Sequence, residues 1–127
     1  MEKFTFGIIG LGTMGSNLLQ NIREHGFSVV GYDKDPQKAN ALNKAIHSEK
    51  DIAFSELKQF IERLETPRNI ILLVPAGKIV DFVLQDLKTY WGENDVIVDC
   101  GNSHFTDTQR RLDELANSKV HFMGMGI

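Results

Sequence analysis

The chain has 127 residues, 42% of them hydrophobic, with a formal net charge of −3 and a sequence pI near 5.8. That is enough for one globular domain with its own core, and it argues against nucleic acid as a principal partner, because no basic stripe interleaved with aromatics offsets phosphate repulsion. A single cysteine, Cys100, excludes an internal disulfide framework and suits a reducing compartment. No apolar run approaches the roughly 20 residues of a membrane span, and the N-terminus lacks a signal-peptide pattern. A cytoplasmic domain with no membrane partner is expected.

Phe4, Phe6, Ile8 and Ile9 form a short apolar run ending at Gly10, which predicts a buried strand. From Thr13 to His25, the residues Met14, Leu18 and Ile22 recur every four positions, predicting one buried helix face, with Gly26 as the C-terminal cap. Ser28–Tyr32 reads as a second strand ending at Asp33. Asp35-Pro36 then supplies an N-cap and a proline in the first helical position, with Ala39, Leu42 and Ile46 facing inward.

A short edge strand is expected around Ala45–Ser48. Ser55 opens the next helix, with Leu57, Phe60, Ile61 and Leu64 on its core face and Thr66-Pro67 as its breaker. The run NIILLV at 69–74 is too short for a helix and apolar on both faces, as a central parallel strand requires. Gly77–Lys88 reads as a helix with Ile79, Val80, Val83, Leu84 and Leu87 inward. DVIVD at 95–99 is another buried strand. Thr106 and Gln109 fit a capping box opening a helix to about Ala116, and Val120–Met123 closes the series.

Strand and helix alternate throughout, which predicts an α/β fold with a doubly wound, mostly parallel sheet and helices on both faces, of the Rossmann type. There is no internal repeat or low-complexity tract, so residues 1–127 are read as one domain. The chain stays small and apolar to Gly126 and Ile127, whereas domain ends are usually polar. We therefore expect the N-terminal part of a longer protein.

Within GIIGLGTMGSNL, Gly10, Gly12 and Gly15 stand at the first strand–helix turn, where helix N–H groups and a partial positive charge face outward. Gly10 permits the tight turn, Gly12 lets the backbone reach a pyrophosphate, and Gly15 allows close helix–strand packing. Asp33 follows eighteen residues after Gly15, at the tip of the second strand. A carboxylate there accepts from adenosine ribose hydroxyls and repels a 2′-phosphate, which favours NAD over NADP; the adjacent Lys34 offsets part of that repulsion. Small residues Pro75, Ala76 and Gly77 follow the fourth confident strand tip and leave room for a nicotinamide ribose. After the fifth, Asn102 offers an amide beside the expected nicotinamide position. His104 reads as a solvated loop residue, and Cys100 as a small buried side chain.

GLGTMGSNL, LLVPAG and DCGNSHFTDTQRR, followed by HFMGMGI, resemble the 6-phosphogluconate dehydrogenase family over essentially the whole chain. The D-x-G-N-S-x-x-x-D-T-x-R-R stretch is the specific part; related β-hydroxyacid dehydrogenases share the glycine turn but usually carry D-x-S-T there. The resemblance implies the coenzyme domain of an enzyme that oxidises 6-phosphogluconate at C3 and releases carbon dioxide to give ribulose 5-phosphate. It implies that Gly10, Leu11, Gly12, Thr13, Met14 and Gly15 hold the pyrophosphate and nicotinamide side. Asp33 and Lys34 would meet the adenosine ribose, and Val74, Pro75 and Ala76 the nicotinamide ribose. Asn102 would touch both cofactor and substrate. Asp33-Lys34-Asp35 matches NAD-preferring members, where NADP-using members commonly carry Asn-Arg-Thr.

The family's substrate loop, lysine base, glutamate acid and dimer-forming helical domain lie beyond the stretch matched here. No catalytic residue and no metal site is therefore assigned, and the chain is expected to bind cofactor without turnover. Two other readings stay open: a non-enzymatic nucleotide-binding or redox-sensing module, and another β-hydroxyacid dehydrogenase.

Overall fold

In a computed structural model that describes residues 3–125, the N-terminal apolar run forms β1 (Phe4–Ile9). The apolar chain end at Gly126 and Ile127 lies outside the described residues. After β1 come α1 (Thr13–Glu24), β2 (Val29–Tyr32), α2 (Pro36–Ile46), β3 (Ala53–Phe54) and α3 (Leu57–Glu62). The second half is β4 (Leu64–Leu72), α4 (Lys78–Leu87), β5 (Val96–Asp99), α5 (Phe105–Leu115) and β6 (His121–Gly124).

The six strands order β3-β2-β1-β4-β5-β6, and every neighbouring pair is parallel. This is the doubly wound sheet expected from the alternation of elements. Side chains of β1 show that both faces are covered. Ile8 lies under Gly15 of α1, whereas a Cβ on Gly7 would strike the Phe60 ring of α3 at 2.6 Å. Adjacent strand residues point to opposite faces, so these helices lie on opposite sides. The central strands are apolar on both faces because helices bury both: Ile8, Ile9, Val29, Val30, Ile70, Leu72 and Ile97 are all buried. Each such side chain contributes about 1.5–3 kcal/mol when fully buried.

The second helix forms as its sequence signals require. The Asp35 side chain accepts from Gln37 N at 3.0 Å, Pro36 occupies the first turn, and His47 in the left-handed region (φ 55°) ends it. Gly26, at φ 88°, follows the C-cap of α1.

Five expectations are corrected. Met14 does not lie on the buried face of α1: it is 54% exposed, and Gly15 and Leu19 are the buried residues instead. The α1 turn packs so closely on β1 that its contact line runs through a glycine, which a search for apolar residues passes over. The edge strand is β3 at 53–54, not 45–48, because α2 continues through Ile46. Asn43 of α2 fastens β3: its amide donates to Ala53 O and accepts from Ile52 N and Ala53 N.

Leu64 begins β4 rather than ending α3, pairing with Phe4 before the register slips to Phe6 opposite Asn69. Pro67 falls in that slipped stretch, where the missing N–H is tolerated. Ile79 is 44% exposed, because the inward stripe of α4 runs through Val80, Leu84 and Leu87. Finally, the N-cap of α5 is His104, whose Nδ1 accepts from Thr106 N; Thr106 is inside the first turn and Gln109 reaches forward to Asp113.

Candidate functional site

Strand order reverses between β1 and β4, and the loops leaving their carboxyl ends touch. Gly10 adopts φ +103°, and a Cβ there would lie 2.2 Å from Leu73 O of the loop after β4. A Cβ on Gly15 would lie 1.7 Å from Gly10 O. These two glycines are therefore required by the protein's own backbone. Gly12 differs: it is extended (φ −70°, ψ −165°), and a Cβ there would meet nothing within 4 Å. The space before Gly12 is open, and no side chain caps the N-terminus of α1 or places an acid in its first turn. An anion-binding helix end is thus left accessible, with positive partial charge toward the opening.

Two clefts meet at Gly12. One, of about 510 Å³, runs toward β2 and includes Gly10, Asp33, Lys34, Val74 and Pro75. The other, of about 360 Å³, runs toward β5 and includes Thr13, Met14, Gly15, Val74, Pro75, Ala76 and Asn102. The structure thus brings together, at one edge of the sheet, every sequence-predicted site residue except the Leu11 side chain. Leu11 is buried against Gly31, and its N–H donates to Asp33 Oδ2 at 2.8 Å. Asp33 Oδ1 accepts from Asp35 N at 2.9 Å. A carboxylate has about four lone-pair sites, so Asp33 keeps acceptor capacity toward the cleft.

Sequence reasoning missed the far wall of the larger cleft: Lys38, Leu57, Ile79, Phe82 and Asp86. The signal is present in α4, where Phe82 falls off the inward stripe and is 64% exposed. Burial lifts the Tyr32 phenol above its usual range, and the Asp86 and Asp33 carboxylates add to this, so it remains protonated in the cleft wall.

Under the smaller cleft lies a buried ionic network. Asp99, at the end of β5, accepts from Gly101 N and from Ser103 Oγ. Arg111, 1% exposed on α5, donates to Asp81 Oδ1, to Gly77 O and to Ser103 Oγ, and lies 3.8 Å from Asp99 Oδ2. The Arg111 guanidinium, helped by Arg110, holds the Asp81 carboxyl below its usual range although partial burial opposes this. Cys100 is buried beside these groups, and burial and Asp99 push its thiol up, so it is not a thiolate at neutral pH. Of the histidines, His104 is committed to its cap and the His121 ring to Asn94. Among the described residues no helix is long and apolar enough to cross a membrane, and no metal-binding group of His, Cys, Asp or Glu forms.

Strand order, switch-point glycines and the accessible helix end place the chain in the Rossmann class of dinucleotide-binding folds. Residues 5–127 match the family described as the NAD binding domain of 6-phosphogluconate dehydrogenase, and the chain belongs to that family. It is 39% identical over 127 residues to the NADP(+)-dependent, decarboxylating 6-phosphogluconate dehydrogenase of Bacillus subtilis, covering 100% of this chain and 27% of that protein. It is 42% identical over 123 residues to the NAD(+)-dependent, decarboxylating enzyme of the same organism, covering 97% and 26%.

Among solved structures, Plasmodium falciparum 6-phosphogluconate dehydrogenase, studied apo, with NADP+ and with 6-phosphogluconate, superposes with a TM-score of 0.86. The identity is 29%, across 95% of this chain and 26% of that one. The chain therefore spans about a quarter of the length of these relatives. A Mycobacterium tuberculosis 3-hydroxyisobutyrate dehydrogenase shares the fold at 20% identity and a TM-score of 0.78.

Proposed function

We propose that this chain is the coenzyme-binding domain, residues 1–127, of a longer cytoplasmic enzyme that oxidatively decarboxylates 6-phosphogluconate. The observation that carries the reading is the open space before Gly12, at the junction of two clefts and an uncapped helix end. Gly10 and Gly15 are explained by packing; Gly12 is explained by a ligand that comes close to the backbone. The pyrophosphate lies against the α1 N-terminus, at Gly12, Thr13 and Met14. The adenosine lies in the larger cleft, its ribose on Asp33 and its base against Ile79 and Phe82. The nicotinamide ribose lies along Val74, Pro75 and Ala76, with Met14 and Asn102 at the ring end. Asn102 reaches the substrate as well.

NAD is the preferred cofactor. Relatives of both preferences are about equally similar, so the choice rests on Asp33. Its carboxylate repels a 2′-phosphate, while the ammonium groups of Lys34 and Lys38 in the same cleft reduce that repulsion without supplying a bidentate clamp.

Bound NAD+ supplies the hydride acceptor; this chain's residues bind and orient it. Among the described residues, the smaller cleft is lined by no lysine, histidine or carboxylate, and burial and Asp99 keep the Cys100 thiol there protonated, so the lining supplies no base for the substrate's proton. The chain alone binds without turnover, and the remaining catalytic groups, like any dimer contact, come from outside it. Calorimetric titration of the chain with NADH and NADPH tests the reading. Saturable binding with NADH tighter supports it, and absence of binding to either cofactor sinks it.

A further inference from the structure

We infer that Arg111 is a positioning residue for the nicotinamide end of the cofactor site. The inference rests on the dinucleotide reading above. Arg111 lines neither of the clefts that meet at Gly12. Its guanidinium instead ties together the two loops that make the smaller cleft. Nη2 donates to Gly77 O at 2.9 Å, which fixes the loop carrying Pro75 and Ala76. Nη1 donates to Ser103 Oγ at 3.2 Å, and Ser103 in turn donates to Asp99. Asp99 also accepts from Gly101 N at 3.1 Å, so both neighbours of Asn102 are anchored on one buried cluster. Nε completes the arrangement by donating to Asp81 Oδ1 at 2.9 Å on α4.

The two loops have little slack between them. A Cβ on Gly101 would come within 3.0 Å of Val74 O, so the two backbones run in near contact there. Packing alone does not call for arginine here, since an apolar side chain fills a buried position without desolvating a charge. What arginine adds is a planar fork that reaches Gly77, Ser103 and Asp81 at once from a fixed geometry. Lysine carries the same charge but has one nitrogen on a flexible stem. Holding a reacting group's neighbours to within a fraction of an ångström is the task of such a support.

The test compares NADH with ADP, which keeps the adenosine and pyrophosphate but lacks the second ribose and the nicotinamide. Wild type, Arg111→Lys and Ser103→Ala chains are titrated with both, with thermal melts as the check on folding. Arg111→Lys is expected to weaken NADH by about tenfold while ADP stays within about twofold of wild type. Ser103→Ala, which cuts the Nη1 link and the Ser103–Asp99 bond but leaves the Gly77 and Asp81 links in place, gives the same split at smaller amplitude and carries the test if Arg111→Lys does not fold. A merely structural role weakens both ligands equally, or neither, and either result overturns the inference. Failure of the wild-type chain to bind both ligands overturns the dinucleotide reading and this inference with it.

Discussion

The backbone N–H of Leu11 donates to Asp33 Oδ2 at 2.8 Å, joining the glycine turn after β1 to the tip of β2. The same carboxylate accepts from Asp35 N, one residue before the proline that opens α2. Asp33 is therefore a brace for two loops as well as the candidate ribose acceptor. Asp33→Ala should remove two charge-assisted hydrogen bonds and destabilise the chain by about 1–3 kcal/mol. In parallel titrations the NADH-to-NADPH affinity ratio should fall by about tenfold or more. An unchanged ratio would remove Asp33 from cofactor choice.

Two glycines of the turn, Gly12 and Gly15, should separate by mechanism. Gly12→Ala leaves the fold intact, because its Cβ meets nothing and its backbone is extended, yet it should abolish or strongly weaken NADH binding. Gly15→Ala drives a Cβ into Gly10 O and should destabilise by about 1–3 kcal/mol or more. Chemical denaturation and titration of both variants check this pair. A Gly12→Ala chain that binds normally would deny the glycine its proposed role.

Cys100 should be slow to react. Its thiol is buried and pushed above the usual range by burial and by Asp99. Alkylation at neutral pH should run much more slowly in the folded chain than in urea, with the rate following global or local unfolding. Rapid alkylation of the native chain would contradict this placement.

Asp81 gives the fold a pH signature. Its folded pKa is lowered, by the Arg111 hydrogen bond first and by Arg110 in addition. The stability it contributes is present above the unfolded carboxylate value, about 3.9, and is lost as pH falls through the lower folded value. Melting temperatures of wild type and Asp81→Asn should differ at pH 7 and converge on acidification below about pH 4. A gap independent of pH would assign the effect to packing.

The alternation of elements, the α2 cap at Asp35 and the glycine turn are legible in the sequence because each is a local signal with a period or a spacing. Met14 and Ile79 depart from expectation for one reason: an apolar residue at helical spacing can face a cleft as easily as the core. The edge strand departs because what holds β3 is not its own two residues but the Asn43 amide of α2, a tertiary contact with no sequence period. His104 caps α5 in place of Thr106 because an imidazole nitrogen can accept the N–H that a hydroxyl usually takes. The D-x-G-N-S-x-x-x-D-T-x-R-R stretch identifies a family without showing its physics. Only the folded chain shows that Asp99, Ser103 and Arg111 meet beneath Asn102.

We propose above all that a dinucleotide lies across Gly12 with its two ends in the two clefts. An amide chemical-shift map of the ¹⁵N-labelled chain on adding NADH tests it most directly. Saturable shifts are expected, concentrated at Gly12–Gly15, Asp33–Lys34, Ala76–Gly77 and Gly101–Asn102. Shifts confined to a separate groove lined by Lys88, Trp91 and Lys119, or none at saturating NADH, would contradict it.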